Sequence, residues 1–264
     1  IESSSEEGGA RRWVVTGQDL PAVAIEPNAP PLQERSATVH VSSSATWTDV
    51  VRDYSRQVES TRVVTPKMRA WVHAHQRTLS LGPDDEATIA LARSMAVGLA
   101  REIRYVGLEF GEHGYKPYGT DQVWSRRFGD CKDQSNLLVV LMELAGIEAH
   151  LTLVRTRSHG RLQGPLPSLA FFDHAIVYVP QWDTYFDPTS RHHGWGELPP
   201  VDQGAQALVI APAEEAELSV IPATRSNANG MEGSYIVTLG SDGSATLSGK
   251  AVFRGSAAAD YRAR

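Results

Sequence analysis

A single cysteine, Cys131, occurs in the 264 residues. With no second thiol it can form no intramolecular disulfide and join no multi-thiolate metal site, which leaves chemistry or burial. Its surroundings predict a helix start: Asp130 is a good N-cap, and Leu137, Leu138, Val140, Leu141, Leu144 and Ala145 recur at helical spacing, with Gly146 where a helix stops. Free backbone N–H groups and the positive end of the helix dipole stabilise a thiolate in such a first turn. The competing reading is a small apolar side chain packed inside the helix, and this stretch alone leaves both open.

A nucleophilic thiol needs an imidazole to take and return its proton, and the imidazole needs a carboxylate to fix its tautomer. Three extended runs follow the helix: Glu148 to Thr156, Ala170 to Val179, and Trp182 to Asp187. The second carries His174 in mid-strand and the third ends in Asp187-Pro188-Thr189. A helix N-terminus packed on an antiparallel meander can bring Cys131, His174 and Asp187 together. His159, His192 and His193 are rival bases, but the first falls in a glycine- and proline-bearing loop from Ser158 to Ser168, and the others follow the Asp187 turn. A mid-strand side chain is held more rigidly. Asp173 points to the opposite face from His174, and Asp183 lies in a turn whereas Asp187 closes a strand. Asp130 and Asp133 are expected to cap the helix rather than touch substrate.

Three strings occur in order: Gly129-Asp130-Cys131-Lys132-Asp133, Phe172-Asp173-His174-Ala175 and Phe186-Asp187-Pro188-Thr189. Together they resemble the transglutaminase-like superfamily, a branch of the papain-like cysteine enzymes. More narrowly, the chain resembles bacterial proteins in which a β-rich N-terminal domain precedes such a core. The stretch Gly196 to Ile210, with Leu198-Pro199 and Asp202-Gln203-Gly204 leading to Ala207-Leu208-Val209-Ile210, is similar to that branch too. The resemblance covers residues 85 to 210 well and the flanks weakly. It implies an α+β fold with the cysteine-bearing helix on an antiparallel sheet, a catalytic set of Cys131, His174 and Asp187, and acyl transfer through a thioester on a protein or peptide substrate. Neither a metal nor an organic cofactor is required. Hydrolysis as a peptidase or amidase is the first reading, protein crosslinking the second, and a non-catalytic binding module the third.

The net charge of −6 and pI near 5.9 disfavour nucleic acid or an anionic membrane as the main partner, since both require a basic surface. Leu137 to Ile147, the longest strongly apolar run, is too short to cross a bilayer. The chain starts at Ile1, so the reading expects a fragment or processed product; localisation stays open, with export to a bacterial periplasm or cell envelope compatible with a lost leader.

Three regions are expected. Residues 1–45 read as the remnant of a β-rich domain with a linker: a Ser, Glu and Gly tail over 1–10, strands over Arg11 to Thr16 and Ala37 to Ser42, and a connector held extended by Pro21, Pro27, Pro30 and Pro31. Residues 46–210 read as the core. There Trp47, Val50, Val51, Tyr54 and Val58 share a helix face, and Pro66 opens a helix running through Trp71. His73 and His75, two residues apart, lie on different faces and make a poor metal site. Pro83-Asp84-Asp85-Glu86 starts a long helix with a stripe of Ile89, Ala92, Ala96, Leu99 and Ile103, ending near Tyr105. A loop over Gly107 to Gly119, with Tyr115, Pro117 and Tyr118, is the expected cleft wall, and a short helix spans Thr120 to Arg127. Gln122 is a candidate oxyanion donor or a solvated side chain, beside the backbone N–H of Cys131. Residues 211–264 read as a linker and a hairpin, Tyr235 to Leu239 with Ala245 to Phe253, which further β structure of the same chain would complete.

Overall fold

Two strands, β1 (Ser3–Glu7) and β2 (Ala10–Val14), begin the chain as an antiparallel pair with Glu7 opposite Ala10. Backbone pairing, which composition does not encode, thus replaces the expected tail. The computed structural model describes residues 3–7, 10–24, 26–27, 29–78, 85–162, 166–194, 196–212 and 214–263. After the proline-bearing connector comes one helical turn, α1 (Leu32–Arg35). The strand expected over Ala37 to Ser42 is absent: the segment is irregular, Val39 and Val41 are exposed, and no described strand pairs with it. An alternating pattern makes a strand only where a partner ladder exists.

Helix α2 (Trp47–Glu59) opens with a reciprocal capping box, Thr46 Oγ1 accepting from the Asp49 amide at 3.1 Å and Asp49 accepting from the Thr46 amide at 3.1 Å. Its Val50, Val51, Tyr54 and Val58 are buried, as the spacing predicts. Helix α3 (Pro66–Thr78) starts on its proline and buries Met68 and Val72. Helix α4 (Asp85–Glu102) buries Ala92, Ala96 and Leu99, followed by Ile103, while the Pro83-Asp84 start signal lies outside the described residues. It stops before Tyr105 because β3 (Arg104–Tyr105) leaves it to pair in parallel with β4 (Phe128–Gly129), beyond α5 (Thr120–Arg126).

Helix α6 (Cys131–Leu144) follows at once and packs against β5 (His150–Arg155) and β6 (His174–Val179). With β7 (Thr184–Phe186), β8 (Gln206–Val209) and β9 (Ser219–Val220) they form one antiparallel sheet in the order β7-β6-β5-β8-β9. One core joins α3, α4 and α6 to Val177, Val179 and Phe186 of the sheet. Within it Leu137, Leu138 and Leu141 are fully buried, each worth about 1.5–3 kcal/mol of transfer free energy. A second cluster ties α2 to Cys131, Leu151, Leu153, Ala175 and Leu208, and a third packs Val154, Ile176, Leu198 and Ala207 on the other side of the sheet. The fold is therefore α+β, with the cysteine-bearing helix on an antiparallel sheet. Finally β10 (Gly230–Leu239) and β11 (Ala245–Arg254) form a hairpin longer than predicted and almost wholly exposed, followed by α7 (Ser256–Arg262).

Candidate active site

The first two turns of α6 are polar in sequence and buried in space. Asp130 caps the helix through the Asp133 amide at 3.1 Å, and Asp133 returns a bond to the Asp130 amide at 3.3 Å. Asp133 further accepts from the Tyr118 amide (2.8 Å) and pairs with Arg126 (2.9 Å), and Lys132 pairs with Asp130. Gln134 donates to the Gly129 carbonyl (3.0 Å), Ser135 to the Ala175 carbonyl (2.9 Å), and Asn136 to Thr61 (3.0 Å) while accepting from Arg62 (3.1 Å). Each buried polar side chain therefore has a partner, and the helix start is locked to α5, to the α2–α3 turn and to the strand carrying His174. Asp130 and Asp133 act as caps, as expected.

Cys131 is the first residue of this helix, only 8% exposed, and it lines a narrow cleft. The cleft, about 100 Å³, is walled by Tyr54, Tyr115, Leu153, Leu169 and Phe172, with Glu109, Lys132 and Asp173 among its polar lining. Tyr115 meets the expectation for the loop before the nucleophile. Leu169 and Phe172 add apolar lining to the cleft. A 3-10 turn over Leu169–Phe171, capped by Ser168, delivers these side chains. Gln122 is exposed on α5 and does not line the cleft.

His174 is the first residue of β6, not a mid-strand one, because residues 169–171 turn instead of extending. Its Nε2 lies 3.4 Å from Asp187 Oδ2, with the two side chains 16% and 4% exposed, and His174 lines the same cleft as Cys131. Asp187 Oδ1 accepts from the amide (2.8 Å) and hydroxyl (2.7 Å) of Thr189, which turns Oδ2 toward the ring. Burial alone disfavours the imidazolium, but the bonds to Asp187 and Cys131 and the charges behind them outweigh it, so His174 is held well above its ordinary range. Burial likewise works against the Asp187 carboxylate, and the bond from His174 reverses this, leaving its pKa lowered.

The rivals are engaged elsewhere. His159 Nδ1 pairs with Asp173 Oδ2 at 2.9 Å, and Asp173 also holds the Thr156 amide and hydroxyl. His193 bonds to Ser190, His192 is exposed, and Asp183 sits in a left-handed turn accepting from the Tyr178 hydroxyl at 3.1 Å. Three residues escaped the sequence reading. Tyr54 lines the cleft and donates its hydroxyl to the Tyr115 carbonyl (2.9 Å); its helical spacing marked it only as core. Asp202 is fully buried, and an oxygen of it, a ring nitrogen of His174 and an oxygen of Asp187 lie within 4.8 Å of one another. The third is Gly129, which pairs with Tyr105 and whose added Cβ would stand 2.7 Å from Asp133 Cβ.

The His174, Asp187 and Asp202 donors are close enough to hold a small cation. The His174–Asp187 contact already crosses the space between two of them, so an ion there would replace that contact.

No family model matches the chain, and no curated protein matches it. Among solved structures, a "putative protease" from Parabacteroides distasonis ATCC 8503 is similar with a TM-score of 0.57 and 16% identity, over 77% of this chain and 36% of that one. A "putative cysteine protease" from Cytophaga hutchinsonii matches with a TM-score of 0.35 and 13% identity, over 76% of this chain and 56% of that one. The chain thus spans about a third of the first structure's length and just over half of the second's. The first similarity bears on the fold alone and agrees with the α+β arrangement described above. Among the described residues no helix is long and apolar enough to cross a membrane.

Proposed function

We propose that this chain is a cysteine-dependent acyl transferase that favours hydrolysis of peptide or carboxamide bonds, with Cys131 as nucleophile, His174 as proton shuttle and Asp187 as the group that orients it. The observation that carries the reading is a largely buried imidazole that stands 3.4 Å from a buried carboxylate and shares one cleft with the thiol at the helix start. The thiolate adds to the carbonyl carbon, forming the C–S bond while the carbonyl electron pair moves to oxygen. The Cys131 backbone N–H, free at the helix start, is the donor assigned to that oxyanion in this reading. Collapse breaks the C–N bond, with the imidazolium proton going to the leaving nitrogen, and a thioester remains. Water then attacks, giving one proton to His174, and the carboxylic acid departs as the thiol reforms. The similar structure carrying the name of a protease supports this class at the level of fold.

Protein crosslinking is the second reading, in which a lysine amine replaces water. The apolar wall of Leu153, Leu169 and Phe172 favours it, while Glu109, Lys132 and Asp173 in the same cleft keep water close and favour hydrolysis. Residues 46–210 would form the catalytic unit, with β9 completing the edge of its sheet.

The test supplies purified protein with a glutamine-containing acceptor protein and a fluorescent primary amine, while ammonia release and peptide cleavage are followed in parallel. Hydrolysis that exceeds amine incorporation and vanishes in Cys131→Ala is the expected result. Incorporation in excess of hydrolysis would establish crosslinking instead, and iodoacetamide labelling of Cys131 no faster at neutral pH than that of a free thiol would end the catalytic reading.

A further inference from the structure

Asp202 sits in the turn leading into β8, its amide donating to the Pro199 carbonyl at 3.0 Å and its own carbonyl accepting from Ala205 at 3.1 Å. The backbone is thus satisfied, but the side chain is not. It is 0% exposed, and among the described residues neither carboxyl oxygen has a hydrogen-bond partner. An unpaired, buried carboxylate is strongly disfavoured, whereas the neutral acid is tolerated. The groups around it are few. His174 attracts its charge, Asp187 and Asp173 repel it, and Arg155 of the adjacent strand β5 is committed to the carbonyls of His159, Gly160 and Phe171. His174 itself faces Asp187, Asp202 and, from α6, Cys131.

We propose that Asp202 is a positioning residue for His174: it holds a proton in the resting site and, on losing it to solvent, leaves a second negative charge that keeps the imidazolium protonated. The inference rests on the thioester chemistry above and deepens it. Ionisation breaks only the carboxyl O–H bond; the electron pair stays on Asp202 and a base in solvent takes the proton. Burial pushes this carboxyl up to about 7, against the pull of His174 and with the help of Asp187 and Asp173, so the added charge arrives as the solution turns alkaline. The imidazolium needed to protonate the leaving nitrogen then survives to higher pH than one carboxylate would allow. Because the two groups titrate together, the observable is the pH profile of the pair.

The test is the histidine ring titration of the full chain by NMR, with His174 assigned from a His174→Gln spectrum, in wild type and Asp202→Asn. A carboxamide cannot acquire the charge, so the His174 midpoint should fall by about one pH unit or more, tenfold in its proton affinity, and the accompanying loss of activity should grow as pH rises. An unmoved midpoint, or a loss of activity equal at every pH, would overturn the proposal. Should Asp202→Asn not fold, infrared difference spectra of the wild type decide. A neutral buried carboxyl present near pH 6 and gone by about pH 8.5 is expected, and its absence near pH 6 refutes the idea. Iodoacetamide labelling of wild-type Cys131 near pH 6 is measured alongside. Slow labelling there would defeat the proposed function, while an unmoved midpoint with fast labelling would defeat only the role of Asp202.

Discussion

Two histidine–aspartate pairs flank the same cleft and differ in everything but composition. His159 and Asp173 are 2.9 Å apart with the histidine side chain 47% exposed, whereas His174 and Asp187 are 3.4 Å apart and nearly sealed from water. By length alone the first is the better hydrogen bond. Exposure weakens it, since an ion pair in high dielectric is worth about 0–1 kcal/mol, while the buried pair is screened less and its histidine shares the cleft with Cys131. Distance and burial therefore rank these pairs in opposite orders, and the proposed function follows burial.

His174→Ala should cost on the order of 10³–10⁴-fold in turnover, because proton acceptor and donor vanish together. Peptide or amide hydrolysis is the readout, and a loss of tenfold or less would collapse the contrast. Asp187→Asn comes next at about 10²–10³-fold with the fold intact by circular dichroism, as the ring loses its preferred tautomer. The buried pair should also leave a mark on stability. His174 has a raised pKa, so its contribution is complete below its ordinary value near 6.5 and fades as pH rises through the higher folded value. Asp187 has a lowered pKa, so its contribution is present above its ordinary value near 3.8 and fades as pH falls through the folded one. The melting temperature of wild type minus that of His174→Gln should therefore be greatest between those limits and shrink toward both extremes. Ser135→Ala, which unties α6 from the Ala175 carbonyl, should cost about 1 kcal/mol in urea unfolding. Smallest of all, His159→Ala should change turnover within about twofold; a loss rivalling that of His174→Ala would mean the exposed pair is the working one.

Much of this was legible because local signals and packing agree. The Asp130 cap with its apolar periodicity predicts α6, and a strand ending in Asp-Pro-Thr predicts the turn that aims Asp187. Lys132 to Asn136 read as an ordinary polar helix start, yet they are buried, since their partners Thr61, Arg62, Arg126 and Ala175 are distant in sequence. Asp202 gave no local sign either: an acid between Val201 and Gln203 looks like any turn residue until the fold closes over it. In the first hairpin β2 falls where a strand from Arg11 is expected, whereas β1 gives no sign, since its serines and glutamates carry no strand pattern.

Gly129 has a consequence for how the gene tolerates change. Its backbone is hydrogen-bonded to Val106, and the space where a side chain would go is filled by Asp133, with Val123 close behind. A single methyl group there would push on the carboxylate that holds Asp130, Tyr118 and Arg126 in place. Under the proposed function, substitution by alanine would thereby disarm the thiol while Cys131, His174 and Asp187 are spared, so inheritance of an unaltered Cys, His and Asp set would not by itself mark a working copy of this protein.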